Sequence, residues 1–254
     1  MKLETKTPGF TIVELLVALG VFLTLAALVT GGVRPQAKSA TAQVRLAQMQ
    51  MGARAAFDLL ARDVRMAGYG VASTMPGSPP PLELADGTLS LYANFSNVKT
   101  KGSGQSSSVT VLDSTGFAVG NYLTISSAWG GEAHKITGVS GNVISLDSSL
   151  SRNYPAGSDV AQIEEVRYRL SNGVLLRNDV PLAEGVELAN FGFYLDDETL
   201  VSDPTGVEAR VRSLLLDFKT HALHRPAGTS GEDIHVTAEV RIRNLGLAEV
   251  ERST

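Results

Sequence analysis

The chain has 254 residues, a net charge of −4 and no cysteine. The absence of cysteine excludes a disulfide framework, a thiolate metal site and a cysteine nucleophile. The acidic balance argues against a general nucleic-acid-binding surface, although a local basic patch is compatible with it.

The first element in chain order is an apolar run, residues 10–33, in which Glu14 is the only charge. A helix of this length reaches about 36 Å, enough to cross a ~30 Å hydrocarbon core. Lys2 and Lys6 precede the run, which predicts a single-pass helix with the C-terminal portion outside the cytoplasm. A carboxylate in hydrocarbon is costly without a partner, so Glu14 needs an explanation.

Residues 9–16, Gly-Phe-Thr-Ile-Val-Glu-Leu-Leu, resemble the class III signal of type IV pilins and type II secretion pseudopilins. The resemblance implies that residues 1–9 are a leader, that a prepilin peptidase cleaves after Gly9, and that Phe10 becomes the N-methylated terminus. It also implies that Glu14 is an assembly residue, which pairs with the N-terminal amine of a neighbouring subunit.

The same resemblance implies partners and a location. The partners are other minor and major pilins, bound through the N-terminal helix, together with the prepilin peptidase, an inner-membrane assembly platform and membrane lipid. The expected location is the bacterial inner membrane, with a single pass and the head outside the cytoplasm, and then an extracellular pilus.

Helical periodicity continues over residues 34–67 and predicts an amphipathic half of the same helix. Gly31, Gly32 and Pro35 predict a kink between the halves. The apolar positions predicted to pack are Ala40, Val44, Ala47, Met51, Ala55, Phe57, Leu60 and Val64. Residues 62–69 also resemble the helix end of PilW-type minor pilins, and the glycines at 68 and 70 end the helix.

From Thr88 onward the sequence predicts short strands separated by turns, followed by three long strands. Residues 68–254 are therefore expected to form a β-rich head, with a small β insertion at about 105–162 that either forms its own module or extends the main sheet. The predicted fold class is α+β: a long N-terminal helix, half transmembrane and half amphipathic, packed on an antiparallel β-sheet domain.

No catalytic constellation or cofactor site is predicted. His221 and His224 are spaced for opposite faces of a strand, so a shared metal is disfavoured. The acidic run Asp196, Asp197 and Glu198 is a weak candidate for a cation and is better explained as a solvated turn.

Two surface features could serve recognition instead. Trp129 either packs over its own hairpin or stands exposed as an anchor for a ligand. Four arginines along the following hairpin either solvate the strands or contact DNA phosphate: Arg152, Arg167, Arg169 and Arg177.

Together these observations predict a non-enzymatic minor pilin of PilW type that primes or caps a type IV pilus near its tip, in pilus biogenesis, twitching motility, adhesion or DNA uptake. The large head argues against a repeating major subunit. Two alternatives stay open: a GspJ-like minor pseudopilin of type II secretion, and a tip adhesin or DNA-binding module that acts through the β insertion.

Overall fold

The computed structural model describes residues 11–71, 74–220 and 234–244. For some of these residues the description covers the backbone but not the side chain: 28–43, 45, 46, 49, 50, 187, 188, 220 and 234. The chain divides into two compact units, Met1–Gln48 and Met49–Thr254.

The described residues form one α-helix, one 3-10 helix and fourteen strands. The helices are α1 (Ile12–Met66) and the 3-10 turn Glu208–Arg210. The strands are β1 (Leu82–Ala85), β2 (Thr88–Ala93), β3 (Lys99–Gln105), β4 (Ser108–Val111), β5 (Tyr122–Ser127), β6 (Gly130–Ser140), β7 (Val143–Leu146), β8 (Tyr154–Ser171), β9 (Val174–Arg177), β10 (Val180–Glu184), β11 (Val186–Leu195), β12 (Leu200–Val201), β13 (Val211–Thr220) and β14 (Ile234–Arg241).

The helix α1 is continuous through Gly31, Gly32 and Pro35, so none of these residues ends it. Proline removes one backbone hydrogen bond and glycine lowers helix propensity, but the flanking turns carry the helix across the segment. A bend at these positions stays a prediction.

Two antiparallel sheets share one core in the second unit. One sheet runs β1-β2-β8-β9-β10 and the other β12-β11-β13-β14. The end of α1 joins this core through Ala56, Leu60 and Val64, which are 2% exposed or less. Their spacing of four residues places them on one face of the helix. Phe57 adds an edge-to-face contact with Phe218, at a ring-centroid distance of 6.0 Å.

The segment predicted as an insertion closes into a small barrel. The first half of β8 pairs with β3 on one side and with β5 on the other. The remaining pairs are β3–β4, β4–β7, β7–β6 and β6–β5, which completes a circuit of six strands. The barrel has its own core around Val109, Leu123, Ile125 and Ile144. It is therefore a module of its own that is joined to the main sheet by β8.

The predicted fold class is wrong. Among the residues whose side chains are described, strands hold 49% and helices 19%, which makes a mostly β, sandwich-like fold rather than a long helix packed on one sheet. The predicted packing stripe is wrong at Val44 and Met51, which are 56% and 63% exposed, whereas the side chain of Ala40 lies outside the described residues. Of the helix side chains that the structure describes, those that enter the core begin at Ala56.

The predicted membrane anchor is also corrected. Within the described residues, no helix is both long and apolar enough to span a membrane. At the start of α1, the described side chains are those of residues 11–27. The single-pass arrangement over residues 10–33, and with it the expected inner-membrane location, is therefore not supported.

A buried polar network fixes the end of the helix to the first sheet. Asp63 Oδ2 accepts hydrogen bonds from Tyr168 Oη at 2.7 Å and from Arg177 Nε at 2.9 Å. Asp63 is 4% exposed and Tyr168 is fully buried. Burial, followed by the hydrogen bond to Asp63, raises the pKa of Tyr168 well above its ordinary value, so its hydroxyl keeps its proton and donates. The network ties α1 to both β8 and β9.

Replacing Asp63 tests this network. Asp63→Asn is expected to lower the free energy of unfolding by about 3 kcal/mol, because Arg177 loses its anion in a largely buried site. Asp179→Asn is the matched control: Asp179 pairs with Arg167 and Arg169 in an exposed site, and its loss should cost at most about 1 kcal/mol. Urea unfolding followed by circular dichroism measures both, and equal losses would contradict the assignment.

Candidate functional site

The start of the helix is built as a capping box. Thr11 N–H donates to Glu14 Oε2 at 3.0 Å, Thr11 Oγ1 donates to the same oxygen at 3.1 Å, and Glu14 N–H donates back to Thr11 Oγ1 at 3.3 Å. Thr at the N-cap and Glu three residues later satisfy each other's free backbone donors in this motif. The signal Thr-x-x-Glu was present in the sequence and was missed there.

The capping bonds also set the charge on Glu14. The hydrogen bonds from the Thr11 backbone and then from its hydroxyl lower the pKa of this carboxyl below its ordinary value, so it carries a negative charge at neutral pH. Both bonds use Oε2, and none of the described residues donates to Oε1. Gly9 and Phe10, the predicted cleavage residues, lie outside the described residues.

The helix beyond Glu14 exposes large apolar side chains on every side. Ile12, Leu16 and Phe22 are 78%, 63% and 67% exposed. Exposed apolar residues occupy nearly every position up to Leu25 and so do not form a single stripe. A helix that is hydrophobic all round is normally covered by other apolar elements. Within the described residues, this segment is therefore an apolar surface without cover.

The acidic run after β11 is engaged by an arginine. Arg210 reaches Asp196 Oδ1 and Asp197 Oδ2 at 2.8 Å each. The hydrogen bond from Arg210 lowers the pKa of Asp196. Glu198 lies in the turn with a φ of 65°. No group of three or more His, Cys, Asp or Glu side chains that could hold a metal occurs in the part of the chain that the structure describes.

The three arginines of the β8–β9 hairpin and Arg152, which precedes β8, also have partners within the protein. Arg167 and Arg169 share Asp179, Arg177 binds Asp63, and Arg152 donates to the Trp129 carbonyl at 2.6 Å. Their donors are thus directed to protein acceptors. Both interpretations of this cluster, strand solvation and contact with DNA phosphate, stay predictions. His221 and His224 lie outside the described residues.

Trp129 does not pack over its hairpin. Its side chain is 70% exposed between β5 and β6, beside a groove lined by Ser126, Pro155 and Asp159. The backbone around it is held by Arg152 at the carbonyl and by Ser127 Oγ, which accepts from the Trp129 N–H at 3.4 Å.

A polar cluster in the barrel was not predicted. His134 Nε2 lies 2.9 Å from Glu132 Oε2, and His134 Nδ1 lies 2.9 Å from Ser148 Oγ. Glu132, which is 5% exposed, also accepts from Ser151 N–H and Oγ. Glu132 and His134 are two apart on β6, and this spacing, which places them on one face, was the available signal. The Ser148 hydroxyl also lies 3.2 Å from Asp147 Oδ1, to which it donates a hydrogen bond. The cluster holds the loop after β7 against β6.

The comparisons with known proteins add little. No protein-family model matches the chain, and no curated protein matches it. Among solved structures, it is similar to the Gp54 tailspike of Acinetobacter baumannii bacteriophage AP22, in complex with A. baumannii capsular saccharide. The identity is 19%, the TM-score is 0.24, and the likeness covers 30% of this chain and 15% of the tailspike. At that score it carries no argument about fold or function.

The Glu132 cluster predicts a pH dependence of stability. Burial alone would raise the pKa of Glu132, but the hydrogen bonds from Ser151 and His134 lower it below its ordinary value of 4.5. A lowered folded-state pKa means that the stabilisation is complete above about 4.5 and is lost as the pH falls through the folded value.

Glu132→Gln is accordingly expected to reduce stability at pH 7 by about 1–3 kcal/mol and to flatten the acid limb of the stability curve. Urea unfolding from pH 7 to pH 3 measures this. Glu184→Gln makes the same change at an exposed residue of β10 and should leave the curve unaltered. If the stability of Glu132→Gln fell with pH in the same way as that of the wild type, the Glu132 carboxylate would not be a stabilising anion.

Proposed function

We propose that this chain is a non-enzymatic subunit of a type IV pilus-like filament, a minor pilin that primes or caps assembly. The single observation that carries the proposal is the uncovered apolar helix that starts at a capping box with one carboxylate. Burying a Leu, Ile, Val or Phe side chain contributes about 1.5–3 kcal/mol. A bundle of like helices from neighbouring subunits would cover this surface on all sides.

Glu14 gives such a bundle its register. In a dry bundle a carboxylate is costly unless a cation or donors satisfy it. Thr11 occupies Oε2, which leaves Oε1 to accept from the terminal amine of the adjacent subunit. That amine would belong to Phe10 after cleavage behind Gly9, as the resemblance to pilins implies. The capping box holds the carboxylate at the start of the helix, where the amine would arrive.

The head supports a minor rather than a major role. It combines a sandwich-like core with a six-stranded barrel, and a dense helical filament favours small heads in its repeating subunit. A deletion strain separates this function from a type II secretion pseudopilin: loss of pili and twitching supports the proposal, and loss of secreted-enzyme export with intact pili favours the pseudopilin.

Substitutions at the capping box separate charge from capping. Glu14→Gln keeps an acceptor for the Thr11 N–H but removes the charge, whereas Thr11→Ala removes the cap hydroxyl and keeps the charge. The proposal expects filament incorporation to fall about tenfold or more in Glu14→Gln and in Glu14→Ala, because the amine loses its anion. Thr11→Ala should cost only the cap, about 1 kcal/mol of helix stability.

Quantitative immunoblotting of sheared filaments against whole cells measures this incorporation. Normal incorporation of Glu14→Gln, with a defect in both Thr11→Ala and Glu14→Ala, would reduce Glu14 to a helix cap and would remove its role in assembly.

Processing is tested at Gly9. Gly9→Val is expected to block cleavage, so that the purified protein keeps residues 1–9, whereas the wild type begins at Phe10. Gly20→Ala is the control, because a Cβ at Gly20 meets nothing within 4 Å. Intact-mass spectrometry with N-terminal sequencing reads out both variants. Identical mature termini in Gly9→Val and wild type would overturn the assigned cleavage site.

A further inference from the structure

Three arginines converge on one groove where the helix ends. The groove measures about 380 Å³ and is lined by Arg62, Arg65, Met66, Tyr69, Arg243 and Asn244. This volume lies within the range of about 300–1,000 Å³ typical of ligand sites. The groove belongs to neither the apolar helix segment nor the barrel, and the inference drawn from it does not rest on the proposed function.

The groove is built on a fixed backbone. Asn244 Nδ2 donates to the carbonyls of Arg65 and Met66, each at 3.4 Å, which joins the end of β14 to the end of α1. Asn94 N–H donates to the Tyr69 carbonyl at 2.8 Å, and Ile242 N–H donates to the Arg212 carbonyl at 2.9 Å. The side chains that line the groove therefore project from anchored positions.

The positive charge of the groove has no counterion among the residues that the structure describes. Within the described residues, no carboxylate lies in ion-pair contact with Arg62, Arg65 or Arg243, and no acid lines the groove. The nearest acid in sequence, Asp63, is turned inward to Tyr168 and Arg177. The negative end of the helix dipole accounts for Arg65 in the last turn. It does not account for Arg243, which comes from the other sheet.

The floor of the groove is apolar and aromatic. Met66 is half-buried, and Tyr69 is 37% exposed. Lys99 adds a fourth cation at this end, with its Nζ 4.8 Å from the Tyr69 ring centroid and 3.0 Å from Tyr69 Oη. Guanidinium groups bind phosphate in bidentate fashion, and aromatic side chains stack nucleobases without sequence preference.

We propose that this arginine groove binds single-stranded nucleic acid. Phosphates lie on Arg62, Arg65 and Arg243, and a base lies against Tyr69. A concave groove with an apolar floor fits a nucleotide that enters it, whereas a lipid surface requires a protruding patch. The surface arginines at 167, 169 and 210 differ from those of the groove, because each of them is paired with aspartate.

The test is fluorescence anisotropy of a labelled twelve-residue oligothymidylate with the full chain, across a salt series from about 50 to 200 mM. Neutralisation of three phosphates on a single strand predicts a log–log salt slope of about −2. The variant Arg62→Gln/Arg65→Gln/Arg243→Gln should weaken binding at least about tenfold and bring the slope towards zero.

The matched control is Arg167→Gln/Arg169→Gln/Arg210→Gln. It removes the same number of charges from paired surface sites and should leave the affinity within about twofold. Circular dichroism and the thermal midpoint establish that both triple variants are folded. An equal loss of affinity in the two variants would overturn the groove and indicate diffuse electrostatic attraction.

The role of Tyr69 separates nucleic acid from other polyanions. Tyr69→Ala should weaken binding of the oligothymidylate about tenfold but leave binding of an abasic strand of equal length unchanged. Tyr69→Phe should restore the affinity, because stacking needs the ring and not the hydroxyl. Absence of binding at low salt would overturn the proposal, as would equal affinity for the two strands or groove-dependent binding to phosphatidylglycerol vesicles without binding of the oligonucleotide.

Discussion

One strand, β8, is the constraint on which the head depends. It runs for 18 residues, from Tyr154 to Ser171. Its first half closes the barrel, with Val160 in the barrel core, and its second half contributes Val166 and Tyr168 to the sandwich-like core. Because side chains alternate along a strand, a shift of one residue would turn both sets away from their cores at once. The register of the barrel and that of the main sheet are thus fixed together.

Asp63 extends this constraint to the helix. Its carboxylate meets Tyr168 on β8, and this contact sets which face of α1 points inward. Successive helical residues lie about 100° apart, so placing Asp63 inside directs its neighbours Arg62 and Arg65 outward. The inward position of Asp63 and the outward positions of Arg62 and Arg65 therefore both follow from the way α1 packs on the sheet. A chain with a net charge of −4 acquires a positive groove in this way.

Local features were readable from the sequence, whereas long-range ones were not. The end of the helix near Gly68 and the Asn172-Gly173 turn follow from backbone preferences, and all three residues have a positive φ. The burial of Leu60 and Val64 follows from periodicity. The exposure of Val44 and Met51 could not be foreseen, because the sequence does not say where the sheet stops offering cover. The closed barrel depends on β8 pairing with both β3 and β5, and no local pattern encodes a strand shared by two modules.

The candidate site divides in the same way. The capping box is local and was available as Thr-x-x-Glu. The arginine groove joins Arg62 and Arg243, which are far apart in the sequence, so only the fold reveals it.

The apolar helix segment and the arginine groove are stabilised by opposite environments. Apolar side chains such as Leu16 and Phe22 gain free energy when water leaves. An arginine groove works by exchanging small counterions for phosphates, which requires contact with water until the ligand arrives. Burying three unpaired guanidinium groups in a protein interface would cost several kcal/mol per charge. If neighbouring subunits cover the helix as proposed, Arg62, Arg65 and Arg243 would have to lie outside the subunit contacts or meet acids of the neighbour, and only the first arrangement leaves the groove open to a phosphate ligand.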